Sequence, residues 1–126
     1  MGQADFSRLL QLARKLRDPD RGCPWDREQT LKTSVGYILE EAGELQEAVQ
    51  KGDGANTTEE LGDLLFCLAL FSVIAEEGKD FKIDKVIEKI EEKIVRRHTW
   101  VFGDDKAETA EEALLLWKKN KLKERD

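Results

Sequence analysis

The sequence predicts an all-α fold, a helical bundle of about five helices with its core completed by oligomerisation. Three observations carry this. No segment sustains the period-two alternation of a half-buried strand. The only prolines, Pro19 and Pro24, fall in one segment near the start. Elsewhere apolar residues recur at three- and four-residue spacing, the signature of helices with one buried face. A chain of 126 residues is read as a single domain over residues 1–126.

The elements follow in order. Phe6, Leu9, Leu10, Ala13 and Leu16 place a first helix at about Asp5 to Arg17. Asp18 to Asp26 holds both prolines and Gly22 and reads as a loop. A second helix runs from about Thr30 to Lys51 and stops at Gly52-Asp53-Gly54. Asn56 and Glu59 read as a capping pair for a third helix that reaches Glu77 and is closed by Gly78. Ile83, Val86, Ile87, Ile90 and Ile94 mark a fourth helix to about His98. Thr99 to Asp105 reads as a loop, and Thr109 with Glu112 as a capping box for a last helix through about Glu124.

Composition narrows the function. Charged residues make up 38% and the net charge is −6. That balance argues against a nucleic-acid or membrane-surface binder. The longest apolar run, Leu64 to Phe71, is too short to span a bilayer, and Met1 to Leu10 lacks the pattern of a secretory signal. Cys23 and Cys67 make no disulfide framework, so a cytoplasmic protein is expected. With one histidine, His98, no ordinary zinc site can be assembled within the chain.

The informative residues are acids. With Glu40 set at zero and about 100° per residue, Glu44 falls near 40°, Glu41 near 100°, and Leu45, Ile38 and Val49 near 140–180°. Glu41 thus borders the apolar stripe, with Glu44 beside it. Glu40 and Glu47 lie further round, towards solvent or a cleft rim. On the third helix Glu60 and Asp63 share a face that Cys67, Leu70 and Ile74 continue. The next two turns are apolar on every side, as in a buried helix. Carboxylates in such surroundings are costly unless paired or metal-bound. Two such pairs on adjacent helices offer oxygen ligands to a hard cation and serve nitrogen- or sulfur-preferring metals poorly. The plainer alternative is a solvated acidic face.

Basic and aromatic residues fall later. Lys93, Arg96, Arg97 and His98 close the fourth helix, where cations suit the helix dipole and where arginines could also clamp phosphates. His98 reads as a capping or packing residue. Trp117 and Lys121 are i, i+4 neighbours, suited to a base and a phosphate, or to plain packing with Leu114. Trp25, in the proline loop, either pins that loop or lines a pocket.

Together the segments CPWDREQT, EEAGE (Glu40 to Glu44), EELGD (Glu59 to Asp63), KIVRRHTWVFG and the Trp117-to-Lys121 spacing resemble the MazG-type nucleoside triphosphate pyrophosphohydrolases. The likeness runs from about Cys23 to the C-terminus. It implies an all-α bundle completed by dimerisation, or as a tetramer, with Mg²⁺ as cofactor and Mn²⁺ as a substitute. It implies nucleoside triphosphate as substrate, with monophosphate and pyrophosphate as products, in nucleotide-pool housecleaning. By the same resemblance Glu41, Glu44, Glu60 and Asp63 are metal ligands. In a metal-assisted hydrolysis Glu40 or Glu44 would take the proton of the attacking water; by the resemblance Glu40 matches the first Glu of the EExxE motif. Lys93, Arg96, Arg97, Trp117 and Lys121 bind substrate. Leu31 replaces a frequent His after Thr30, and Thr99-Trp100 replaces Pro-His.

Two other classes compete with this reading. A di-iron bundle needs Glu-x-x-His pairs, which the chain lacks. A non-catalytic nucleotide-binding or helical interaction module would keep the acids without turnover.

Overall fold

The computed structural model describes residues 4–124. Those residues form seven helices, two more than the periodicity predicts, and no strand, as it predicts. Cα packing divides the chain into two compact units, Met1–Lys82 and Ile83–Asp126.

In the first unit α1 (Phe6–Leu16) starts where the Asp5 carboxylate accepts the Ser7 N–H at 3.0 Å. A short helix, α2 (Pro24–Glu28), replaces the end of the expected loop. Pro24 sits at its first position, where the preset φ suits a helix and the missing N–H would be unbonded anyway. The turn before it is tight. A Cβ on Gly22 would lie 2.3 Å from the Leu16 carbonyl oxygen, so only glycine fits. The Cys23 N–H then donates to that same oxygen at 2.8 Å.

α3 (Leu31–Gln50) is opened by a reciprocal box between Thr30 and Thr33 and left through Gly52, whose φ of 69° is the left-handed value that favours glycine. α4 (Gly54–Glu77) is capped by Asp53, whose carboxylate accepts the Asn56 N–H at 3.1 Å. The expected Asn56–Glu59 cap is therefore wrong by one turn. The aspartate three residues earlier takes the role, and Asn56 lies inside the helix.

α3 and α1 both pack on α4. Leu10 and Ala13 of α1, Ala48 of α3, and Ala69, Leu70, Val73, Ile74 and Ala75 of α4 form the core. On α3 the inward stripe is Ser34, Ile38, Glu41, Leu45 and Ala48. Val49, expected in that stripe, is exposed. The stripe runs from Ser34 to Ala48, both fully buried, so Glu41 is at its centre rather than its border.

The second unit holds α5 (Ile83–Arg97), α6 (Thr99–Phe102) and α7 (Ala110–Lys123), which pack on one another. α6 occupies part of the segment expected as a loop. Asn120, buried on α7, donates to the Arg97 carbonyl at 3.0 Å and to Thr99 Oγ1 at 2.9 Å, and so holds the break between α5 and α6. Thr109 caps α7 through the Glu112 N–H. The Glu112 carboxylate reaches back to the Glu108 N–H at 2.9 Å, one residue beyond the position a capping box uses. No helix among the described residues is long and apolar enough to cross a membrane.

Candidate metal centre and its surroundings

Glu41 on α3 faces Glu60 and Asp63 on α4. One carboxylate oxygen from each lies within 4.8 Å of the others. The sequence makes this meeting by position alone. Glu41 is in the inward stripe of α3, and Glu60 and Asp63 begin the stripe that Cys67, Leu70 and Ile74 continue.

The trio is electrostatically unsatisfied. Glu41 Oε2 and Glu60 Oε2 are buried with no hydrogen-bond partner. Close approach to the Glu44 carboxyl, followed by burial and the charges of Glu44, Asp63 and Glu41, pushes the Glu60 carboxyl up to about 7. Burial, followed by the charges of Glu44 and Asp63, also raises Glu41. Like charges this close favour protonation unless a cation joins them. A donor set of oxygens only, with orphaned buried oxygens, fits a hard divalent cation.

The other acids lie outward. Glu44 is exposed but stands against Glu60 and Glu41, where its influence on both is felt. Glu40 and Glu47 are exposed, as their angular positions predict. Glu40 contributes charge near Cys67, whose thiol is raised by burial first and then by Glu41, Asp63 and Glu40.

A cavity of about 280 Å³ opens beside the acids. Glu41, Asp63 and Ser34 give it a polar side, and Trp25, Tyr37 and Phe66 an aromatic one. The Trp25 and Tyr37 rings meet edge to face, 5.2 Å between centroids and 62° between planes. Trp25 therefore lines a pocket, which settles the choice the sequence left open.

In the second unit Arg97 and Lys121 converge on Trp117. The Arg97 guanidinium lies 5.1 Å and the Lys121 Nζ 5.2 Å from the centre of its ring. Arg96 and Arg97 both pair with Glu124, Arg97 at 2.9 Å. These arginines hold the Glu124 carboxyl down at about 2. Lys93 is exposed on α5. His98 Nδ1 lies 2.6 Å from the Ile94 carbonyl and its ring 4.9 Å from that of Trp100, in line with the capping or packing role expected of it. Glu124 was missed as a partner of these arginines, because 27 residues separate it from Arg97 and no local pattern links them.

Comparisons with known proteins agree on one family. Residues 29–102 match the model of the MazG nucleotide pyrophosphohydrolase domain. The nucleoside triphosphate pyrophosphohydrolase of Escherichia coli (strain K12) is 42% identical over 125 residues, covering 99% of this chain and 47% of its own length. The Thermotoga maritima nucleoside triphosphate pyrophosphohydrolase/pyrophosphatase MazG is 42% identical over 99 residues, 79% of this chain and 38% of its own length. The chain thus spans less than half of these relatives. The crystal structure of a mazG-related protein from Thermotoga maritima superposes with a TM-score of 0.78 at 35% identity, covering 92% of this chain and 98% of that one.

Proposed function

Because the chain belongs to the MazG nucleotide pyrophosphohydrolase family, we propose that it hydrolyses nucleoside triphosphates to monophosphate and pyrophosphate. The role is housecleaning of the nucleotide pool in the cytoplasm. The observation that carries this reading is the Glu41–Glu60–Asp63 trio with its two unpartnered oxygens.

Glu41, Glu60 and Asp63, with Glu44 at the edge, would hold Mg²⁺, and Mn²⁺ in its place. A bound divalent cation supplies charge neutralisation for the triphosphate and a more acidic water. Glu44 or Glu40, both exposed on α3, takes the proton of the attacking water. Lys93, Arg96, Arg97 and Lys121 steady the phosphates and the charge that develops on departing pyrophosphate. Trp117 acts at the substrate through these cations, its ring centre 5.1 Å from the Arg97 guanidinium and 5.2 Å from the Lys121 Nζ. The family match crosses from one compact unit into the other, which supports a single MazG-like domain over residues 1–126.

The test is incubation with a mixed triphosphate pool and Mg²⁺, with pyrophosphate and monophosphate measured separately. Equal yields of the two support the reading. Orthophosphate with diphosphate would replace it by a phosphatase. Nucleotide binding without either product would favour the non-catalytic module.

A further inference from the structure

Trp25 stands on a helix that cannot hold itself. α2 has five residues, far below the length at which a helix is stable alone. Its last carbonyls have few backbone donors, and that of Asp26 takes only the Gln29 N–H, at 3.3 Å. Side chains satisfy them. Arg17 Nη1 donates to the carbonyl of Asp26 at 2.7 Å and to that of Gln29 at 2.9 Å. Gln29 Nε2 donates to the Trp25 carbonyl at 2.9 Å. The other edge of the Arg17 guanidinium is anchored on Glu77, the last residue of α4, with Nη2 at 2.6 Å and Nε at 3.1 Å from Oε1. The Arg17 side chain is only 12% exposed.

We propose that Arg17 is a positioning residue. It ties α2 to the end of α4 and so holds Trp25 as a wall of the cavity beside the carboxylates. The inference rests on the hydrolase reading in one respect: with phosphates at the carboxylates, the adjoining cavity receives the nucleoside part of the substrate. The cavity is below the ~300–1,000 Å³ of sites that enclose a drug-sized molecule, so it suits one ring system. Guanidinium geometry is required. Two carbonyls on one edge and a carboxylate on the other match a planar fork, and a lysine ammonium can meet only part of that set.

The role separates from general stability by what it moves. Arg17→Ala is expected to raise KM for a nucleoside triphosphate about tenfold while kcat stays within about twofold, the size of one lost charge-assisted contact acting on binding alone. Arg17→Lys should recover part of the KM. In a Trp100→Phe, Trp117→Phe background, where Trp25 is the one tryptophan left, Arg17→Ala should also raise acrylamide quenching of Trp25. The rise is limited to about twofold, because the residue is already 49% exposed and the change is a local opening. Unchanged quenching, or unchanged KM alongside a lower melting temperature, overturns the proposal.

If Arg17→Ala does not fold, Glu77→Gln carries the same test at the exposed end of the bridge. It should raise KM and quenching in the same sense by a smaller factor, and no change in either overturns the proposal. Wild-type protein that releases no pyrophosphate would sink the hydrolase reading instead, and the quenching arm would then decide the role of Arg17 by itself.

Discussion

Glu41 on α3 and Glu60 on α4 bring carboxylate oxygens within 4.8 Å of each other, and each also buries an Oε2 that no donor meets. Two acids so placed repel each other and lose their hydration together. The apolar side chains packed around them raise that cost, because they offer no donor to either oxygen. Such a site gains most when a cation enters.

That gain is measurable as stability. Adding Mg²⁺ to metal-free protein should raise the melting temperature, by the equivalent of about 2.7 kcal/mol at a hundred times the dissociation constant. Mn²⁺ should act similarly, and EDTA should reverse the shift and stop turnover. Asp63→Asn keeps the shape and removes one charge. It should abolish both the shift and the turnover while leaving the metal-free melting temperature equal or higher. A variant that loses metal-free stability would identify Asp63 as a structural partner.

Glu60 makes a prediction about pH in the same metal-free state. Its folded carboxyl sits at about 7, above its ordinary 4.5, with Glu44, Asp63 and Glu41 facing it. A raised folded value means that the protonated form is favoured in the fold. Its contribution is therefore fully present below about pH 4.5 and is lost as pH rises through about 7. In EDTA the melting temperature should fall between pH 5.5 and 8.5, and Glu60→Gln should flatten that fall. Parallel curves for the two proteins would show that the fall has another source.

Glu124 predicts the opposite slope. Arg97 and Arg96 hold its carboxyl at about 2, below the ordinary 4.5. Its contribution is present above about pH 4.5 and is lost as pH falls towards 2. Stability followed by circular dichroism should therefore fall more steeply between about pH 4.5 and 2 in the native protein than in Glu124→Gln. Glu124→Gln should remove that part of the acid limb and lower stability at neutral pH. Added salt should weaken the native pairing, since Arg96 is half exposed. An acid limb identical in the two proteins would remove the ion pairs from the account.

The long helices and the acids were legible in the sequence because each rests on local spacing. α3 keeps both expected bounds to within a residue and α4 its expected end at Glu77, and the i, i+3 relation of Glu60 and Asp63 is simple helix geometry. Three kinds of feature were not legible. α2 and α6 are too short to carry a period, so in sequence their segments look like loops. The cap of α4 turned on a choice between two good cap residues, Asp53 and Asn56, that spacing alone did not decide. The bridges Arg17–Glu77 and Arg97–Glu124 join residues far apart in the chain, and charge pattern predicts such pairs only within one helix.

The outer face of α4 makes the last prediction. Leu61, Leu65 and Leu68 follow one another at four- and three-residue spacing, and all three are exposed, although neighbouring residues of the same helix form the core. On α3, Val35, Leu39 and Val49 are exposed as well. A row of exposed leucines of this kind on a charged protein marks an interaction face. We expect a second copy of the chain to cover it, in a dimer or a higher assembly. Sedimentation equilibrium at micromolar concentration should give at least twice the 14.4 kDa of one chain. Leu65→Glu combined with Leu68→Glu should shift the protein to the single-chain mass while circular dichroism keeps its helical signal, because both side chains already reach solvent in the isolated chain. Native protein sedimenting only at the single-chain mass would contradict the expectation, and an assembly that survives both substitutions would place the contact on another face.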